Sequence, residues 1–288
     1  ASRPLPKPEQ WARQIDLSQL VCFWKHPVRF FLEQRLNLRT FQTEELLLPE
    51  SETFLLNELE KYSFAEEILG ELRCGRPDCA VPLHRRLAAG GLPGGCFSYF
   101  LHQKIKTEAK ELAAKVEAQL RQPVEPIEIN LNVDGVRLTG KITSLCRCGR
   151  VTFRPASLKA KDLLQLWIHH LALLLHQPAG VEPCSFHAAK DKMIQLQEVA
   201  DPETELIRLM QLFQQGCCEP LRFYPETSLA QATGKSVNAA WLSRYHHRGE
   251  SEDPAYQLSL RGYAPLDDPQ FAELAELLLP LLHVMKKA

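Results

Sequence analysis

The segment Ile127-Glu128-Ile129-Asn130-Leu131-Asn132-Val133 constrains this chain more than any other. Apolar and polar residues alternate along it, the period of a strand with one buried and one solvated face. Asp134-Gly135 follows at once. Both residues tolerate the positive φ of a two-residue hairpin turn, so the chain is expected to reverse there. Val136 to Leu145 then reads as a second strand. Arg150 to Phe153 reads as a third, after a turn at Gly149. A helix rich in Lys, Glu and Ala precedes them over Phe97 to Leu120. Another follows over Leu158 to Leu175, its apolar residues spaced for one buried face. The order helix, three antiparallel strands, helix, strand sets the fold class as α/β.

The flanks read mostly as helix. Residues 1–15 carry Pro4, Pro6 and Pro8 among polar residues and read as an extended linker. Asp16 is placed to cap an apolar segment from Leu17 to Leu36, interrupted at Pro27. Its aromatic residues, Phe23, Trp24, Phe30 and Phe31, fall in pairs seven apart, which fits a helix core better than a stacking platform for bases. Residues 37–53 look irregular. Phe54–Tyr62 and Phe64–Leu72 read as two short helices, the second capped by Ser63 with Glu66. Asp78 to Ala89 reads as a third helix, and Gly90, Gly91, Pro93, Gly94 and Gly95 break the chain after it. Further strands are expected at Cys184–His187, Met193–Val199 and Leu221–Tyr224. Asp201-Pro202 opens a helix to Gln215. From Thr227 the chain reads as helical, with starts at Ser236 and Asp268-Pro269. The expected organisation is a linker (1–15), a helical lobe (about 16–93), an α/β core (about 94–225) and a C-terminal helical part (about 226–288). The opening Ala1-Ser2-Arg3-Pro4 has neither an initiator Met nor a secretory signal, which is compatible with a piece of something longer or with a trimmed chain.

Charge and cysteine usage narrow the function classes. The net charge is −1, with 34 basic and 35 acidic residues. A domain that wraps duplex DNA alone usually has a basic balance, so contact with nucleic acid has to come from a local patch. Residues 137–161 supply one candidate: Arg137, Lys141, Arg147, Arg150, Arg154, Lys159 and Lys161. Two readings stay open for it, a surface that touches a DNA backbone and the solvated faces of two strands and a helix start. Lys159 and Lys161 sit near a helix N-terminus, where cations are slightly unfavourable, and this favours a functional reason for them. The nine cysteines contain no C-x-x-C pair, so no zinc site is expected and reduced thiols in the cytoplasm are the default. No apolar run reaches the ~18–20 residues that a membrane span needs.

Other motifs fall away. Gly234-Lys235-Ser236 looks like the end of a P-loop, but Leu229 occupies the position of its first Gly. His169-His170 and His246-His247 are adjacent, so neither pair presents two imidazoles on one helix face. No nucleophile-elbow pattern supports a hydrolase triad.

Two segments carry a resemblance. Gly140-Lys141-Ile142-Thr143 and Val151-Thr152-Phe153-Arg154-Pro155-Ala156-Ser157 resemble the Gly-x-Ile-Asp and Leu-Asp-Tyr-Lys-Ser motifs of RecB-type nuclease domains. Those domains have a restriction-endonuclease-like (PD-(D/E)XK-like) core. In it, an acid on the second strand and an acid-x-Lys on the third hold and use divalent metal. Here the acid of the second strand falls at Thr143, the acid of the third at Arg154 and the Lys at Ala156. An Arg in the place of a metal-binding carboxylate repels the cation. Gln165 with His169 stands where those domains often carry Gln and Tyr four apart.

A nuclease-like core without its acids is similar to the C-terminal domain of the exodeoxyribonuclease V gamma subunit family, RecC. Asp16-Leu17 through Phe23-Trp24-Lys25-His26-Pro27-Val28-Arg29-Phe30-Phe31, Ala89-Gly90-Gly91-Leu92-Pro93 and Gly135-Val136-Arg137-Leu138-Thr139-Gly140 carry the similarity. So do Phe153-Arg154-Pro155 leading to Leu166-Trp167, Glu219-Pro220-Leu221, Pro225-Glu226 and Leu278-Leu279-Pro280-Leu281-Leu282. The resemblance implies a noncatalytic, DNA-guiding domain of a three-subunit helicase–nuclease that processes double-strand breaks. It implies the other subunits (RecB and RecD) and forked or single-stranded DNA as partners, and no cofactor or metal. It also associates a duplex-parting wedge with the domain, for which the Phe186–Met193 and Leu145–Val151 turns are candidates. Two alternatives are an active metal-dependent nuclease that uses Glu125, Glu128, Asp134 or Asp162, and a protein-interaction domain outside DNA metabolism.

Overall fold

The computed structural model describes residues 4–38, 56–93, 95–244, 248–261 and 263–287. His246-His247 and most of the stretch expected to be irregular lie outside these residues.

The chain enters through a short helix, α1 (Glu9–Arg13), and a strand, β1 (Gln14–Asp16). The extended linker expected through residue 15 is therefore confined to its proline-rich beginning. Trp11 packs against Phe30 and Phe213, ring centroids 5.7 Å away in both cases. Burial of that indole and of Ile15 draws residues 9–16 onto the core, which the local proline signal did not foretell. Asp16 caps α2 (Leu17–Lys25) by accepting from the Ser18 N–H at 2.8 Å. Pro27 ends it as expected. His26 then caps α3 (Pro27–Arg35), its Nδ1 accepting from the Arg29 N–H at 3.1 Å. Phe23, Trp24, Phe30 and Phe31 are all buried, as the helix-core reading expects.

Three helices follow: α4 (Glu58–Arg73), α5 (Ala80–Ala88) and α6 (Cys96–Val116). Where two helices were expected over residues 54–72, the described part forms the single α4. Its cap is Asn57 with Glu60 instead of Ser63 with Glu66. Ser63 is accommodated inside the helix because its hydroxyl accepts from Arg86 Nη2 at 2.8 Å.

The hairpin forms where the alternation demands it. β3 (Ile127–Val133) pairs antiparallel with β4 (Val136–Ile142) after a short strand, β2 (Pro123–Val124). Asp134 and Gly135 take the turn at φ 50° and 73°. The expected second strand nevertheless stops short. Ser144, at φ 60°, turns the chain, and β5 (Leu145–Cys146) with β6 (Gly149–Phe153) enters a different sheet. The sheets are thus β1-β4-β3 and β2-β5-β6-β7-β8-β9, where β7 is Ser185–Ala188, β8 Met193–Leu196 and β9 Met285–Lys287. β6 and β7 run parallel, and the chain crosses between them through α7 (Ala160–His176). Close packing at the parallel pair explains Gly149. Its φ is 122°, and a Cβ there would overlap the Cys184 carbonyl.

The remaining helices are α8 (Pro202–Gly216), α9 (Pro225–Ala232), α10 (Val237–Trp241), α11 (Pro254–Leu260), α12 (Pro269–Ala275) and α13 (Leu279–Val284). Ser236 and Asp268 stand at the N-caps expected of them. Leu221–Tyr224 is not a strand. It is a buried apolar connection, a pattern that short apolar runs share with strands. β9 is the opposite case: within a C-terminal part expected to be helical, Met285–Lys287 pairs with β8 at the sheet edge.

One core lies between the β1-β4-β3 sheet and α2, α7 and α8. A second lies between α4, α5 and α6 and one face of β6 and β7. A third joins α3, α11 and α12 around Tyr224 and Trp241. α7 is buried over nearly all its length. Among the described residues, no helix is long and apolar enough to cross a membrane.

Candidate functional site

Thr143 directly follows β4 and Arg154 directly follows β6. The strand ends converge, and both residues line one cavity of about 420 Å3 together with Lys25, Arg150, Asp162 and His187. Tyr62, Glu66, Ser144, Thr152 and Gln165 complete much of its wall, whereas Ala156 lies outside it.

Arg154 reaches across to the start of α7. Its Nη1 donates to both Asp162 carboxylate oxygens at 2.8 Å, and its guanidinium lies 5.2 Å from the centre of the Tyr62 ring. Asp162 also accepts from the Lys159 N–H at 3.0 Å. The carboxylate is therefore engaged twice, once by a charge and once as a helix cap.

Arg150, on β6, is only 2% exposed. Burial pulls its pKa down to about 10, which leaves it charged at neutral pH. Among the described residues its Nε and Nη1 have no hydrogen-bond partner. On the neighbouring strand, His187 Nδ1 meets the Thr152 hydroxyl at 3.0 Å. That hydroxyl donates to the Phe186 carbonyl at 3.1 Å, so the proton of the shared bond belongs to His187 Nδ1. His187 Nε2 is buried with no partner. Burial first, then the charges of Arg150 and Arg154, hold the His187 pKa down, against the pull of Asp162. Lys25, at the end of α2, has a pKa lowered mainly by burial.

The other cations of the 137–161 stretch go elsewhere. Arg137 is exposed on β4, and Arg147 is exposed in the tight β5–β6 turn. Lys141 is exposed and pairs with Glu128 at 3.1 Å, beside a cleft of about 920 Å3 that Lys25, Gln165 and His169 also line. Lys159 and Lys161 line a third cleft, of about 790 Å3, with Arg29, Glu226 and Glu250. The structure thus brings Arg150 and Arg154 together and spreads the rest, because strand alternation and the turn at Ser144 aim them at different faces.

The acids weighed for catalysis stand on different elements. Asp134 lies in the hairpin turn and accepts from Gln211 Nε2 at 3.2 Å. Glu125 is exposed before β3, Glu128 is held by Lys141 and Asp162 by Arg154. Among the described residues, no three His, Cys, Asp or Glu side chains assemble as metal ligands would. Gln165 and His169 are linked through the backbone, His169 Nδ1 donating to the Gln165 carbonyl at 2.8 Å. The turns weighed as projections are both short: Cys146 pairs with Gly149, and the Ala189 N–H reaches the Lys192 carbonyl at 2.7 Å. Lys25 and His187 were not singled out from sequence. No local pattern marks either one; only packing of α2 against α7 and of β7 against β6 brings them to the cavity.

The fold and its cavity define an α/β protein in which the ends of β4 and β6 converge on a cavity lined by both cations and carboxylates. The family model described as RecC C-terminal domain matches residues 12–236, and the chain belongs to that family. The RecBCD enzyme subunit RecC of Escherichia coli (strain K12) is 29% identical over 300 residues, covering 96% of this chain and 26% of the relative. The subunit of the same name from Mycobacterium tuberculosis (strain H37Rv) is 24% identical over 281 residues, covering 91% of this chain and 25% of the relative. That from Buchnera aphidicola subsp. Acyrthosiphon pisum is 29% identical over 158 residues, covering 55% of this chain and 14% of the relative. The chain spans at most about a quarter of the length of these relatives.

Proposed function

We propose that this chain is a noncatalytic structural and DNA-guiding domain of a RecBCD-type helicase–nuclease that acts in double-strand break repair by homologous recombination. The observation that carries the reading is the Arg154–Asp162 pair. A guanidinium occupies the place of the third-strand acid and engages Asp162, the candidate acid nearest to it. Two cations and an engaged carboxylate oppose the binding of Mg2+, which needs free oxygen ligands. The convergence of Thr143 and Arg154 on one cavity supports a degenerate restriction-endonuclease-like core. In this reading the lobe (about 16–93), the core (about 94–225) and the C-terminal helices (about 226–288) work as one nuclease-like domain. RecB- and RecD-type subunits and forked or single-stranded DNA are its partners, and the cytoplasm is its compartment. Arg137, Lys141, Arg147, Lys159 and Lys161 are the exposed or half-exposed cations available to a DNA backbone.

The test is direct. The purified chain is incubated with labelled single-stranded, duplex and forked DNA in Mg2+ and then Mn2+, beside Asp134→Ala and Asp162→Ala. Absence of cleavage with preferred binding of forked over blunt DNA is the expected result. Cleavage that either substitution abolishes would sink the reading.

A further inference from the structure

We propose that the cavity between α2, β6 and β7 is a phosphate-binding site, in which the Arg150 guanidinium grips the oxyanion and Lys25 closes over it. The phosphate chemistry stands on the cavity itself. That the phosphate belongs to a DNA backbone rests on the function proposed above.

The argument begins with Arg150. A guanidinium that is 2% exposed needs an anion or acceptors around it, and structures that bury a charge nearly always pair it. Neither nearby carboxylate is available. Asp162 is held by Arg154 and the Lys159 N–H, and Glu66 accepts from the Tyr62 hydroxyl at 3.1 Å. Arg150 Nε and Nη1, Arg154 Nε and His187 Nε2 are four buried nitrogens without a protein partner, and all belong to residues that line this one cavity. Three cations (Lys25, Arg150, Arg154) face two carboxylates (Glu66, Asp162), so the wall carries one uncompensated positive charge with His187 neutral.

Geometry selects the ligand. A guanidinium presents parallel pairs of N–H groups along its edges, and each pair matches two oxygens of a tetrahedral phosphate. The hydroxyls of Thr143 and Ser144 add neutral donors on the same wall. A divalent cation is disfavoured, because the cavity wall carries an excess of positive charge. A volume of about 420 Å3 admits a phosphate with its flanking atoms and suits neither a folded peptide nor a base pair. Degeneration of a metal site would thus have exchanged one way of holding a phosphodiester for another: the cation between protein and phosphate is lost, and guanidinium groups take its place.

Thermal unfolding of the full chain at matched ionic strength provides the test. Inorganic phosphate should raise the Tm of wild type while an equal ionic strength of chloride does not. Arg150→Met keeps volume and removes the buried charge, so it should unfold no lower than wild type in chloride and lose the response to phosphate. Lys25→Ala, at the cavity rim, should weaken phosphate about tenfold, as loss of a charge-assisted contact does. No phosphate response in wild type, or an equal response in Arg150→Met, overturns the site. Oligonucleotides separate the sources. If a 5′-hydroxyl oligonucleotide competes with phosphate in wild type, the ligand is an internal phosphodiester. If only phosphate and 5′-phosphorylated oligonucleotides act, the site takes terminal or free phosphate, and its assignment to a DNA backbone is overturned. A phosphate response in a protein that binds no forked DNA would overturn the DNA-guiding function and leave the site standing. Forked-DNA binding without a phosphate response would do the reverse.

Discussion

Arg154 Nη1 donates to both carboxylate oxygens of Asp162 at 2.8 Å, across the gap between the end of β6 and the first turn of α7. The pair is partly buried, with side chains 25% and 12% exposed. It joins the two elements that flank the cavity and engages both oxygens of the acid at the same time.

Asp162→Ala removes both the partner of Arg154 and the cap on Lys159, so it should destabilise the fold by about 2 kcal/mol. Urea unfolding with a double-mutant cycle against Arg154→Ala measures the coupling. A coupling energy near zero would mean that the pair is ornamental.

Arg154→Asp combined with Thr143→Asp frees Asp162 on α7 and places two carboxylates at the strand ends beside it. That variant should gain a Tm increase with Mn2+ that wild type lacks. If Mn2+ leaves its Tm unchanged, the strand ends do not preserve nuclease-type metal geometry.

His169 and His170 set the pH dependence. Burial is the main cause that lowers their pKa from 6.5 to about 3 and about 4. Each is neutral when folded, and the unfolded chain takes up the proton first. Stability is therefore full above pH 6.5 and falls as the pH drops toward 4. Each histidine adds up to ~1.4 kcal/mol per pH unit to the slope. His170 hydrogen-bonds the Gln197 carbonyl at 2.7 Å and Ser185 Oγ at 3.0 Å. Urea midpoints measured from pH 7 to 4.5 should fall less steeply in His170→Gln than in wild type.

Gly149→Ala sets a Cβ against the Cys184 carbonyl at φ 122°. It should cost about 3 kcal/mol or more, because backbone lies on both sides of the collision and neither can yield cheaply. Equilibrium unfolding checks this, with Gly135→Ala as a control in open space at φ 73°, expected to cost ~1 kcal/mol. Equal losses at the two positions would show that φ and not the β6–β7 contact dictates glycine.

Asp253 tests the third core. Burial opposes its ionisation, but the hydrogen bond and charge of His26 and the charge of Arg29 prevail and hold its pKa down at about 2. The stabilisation it supplies is present above pH 3.8 and lost as the pH falls toward 2. Asp253→Asn keeps the cap on the Ala255 N–H and removes the charge next to Arg29, 2.8 Å away. A loss of ~1–2 kcal/mol at pH 7 that vanishes near pH 2 is expected; a loss unchanged over that range would assign the effect to packing.

Local patterns determined much of this protein. The alternation of Ile127–Val133, the turn residues Asp134 and Gly135 and the break at Pro27 each need only nearby residues, and each appears where expected. The expectation that Thr143 and Arg154 stand in the places of acids also rests on short local motifs. Tertiary structure alone decided the rest. β1 and β9 are three residues each and exist because β4 and β8 offer them edges more than 80 residues away in sequence. Seven cations in one stretch of sequence look alike, yet Arg150 is buried on β6 while Arg147, three residues earlier, is exposed in the β5–β6 turn. Lys25, Arg150 and His187 meet only when α2, β6 and β7 have packed, and long-range packing leaves no periodic mark on the residues it brings together.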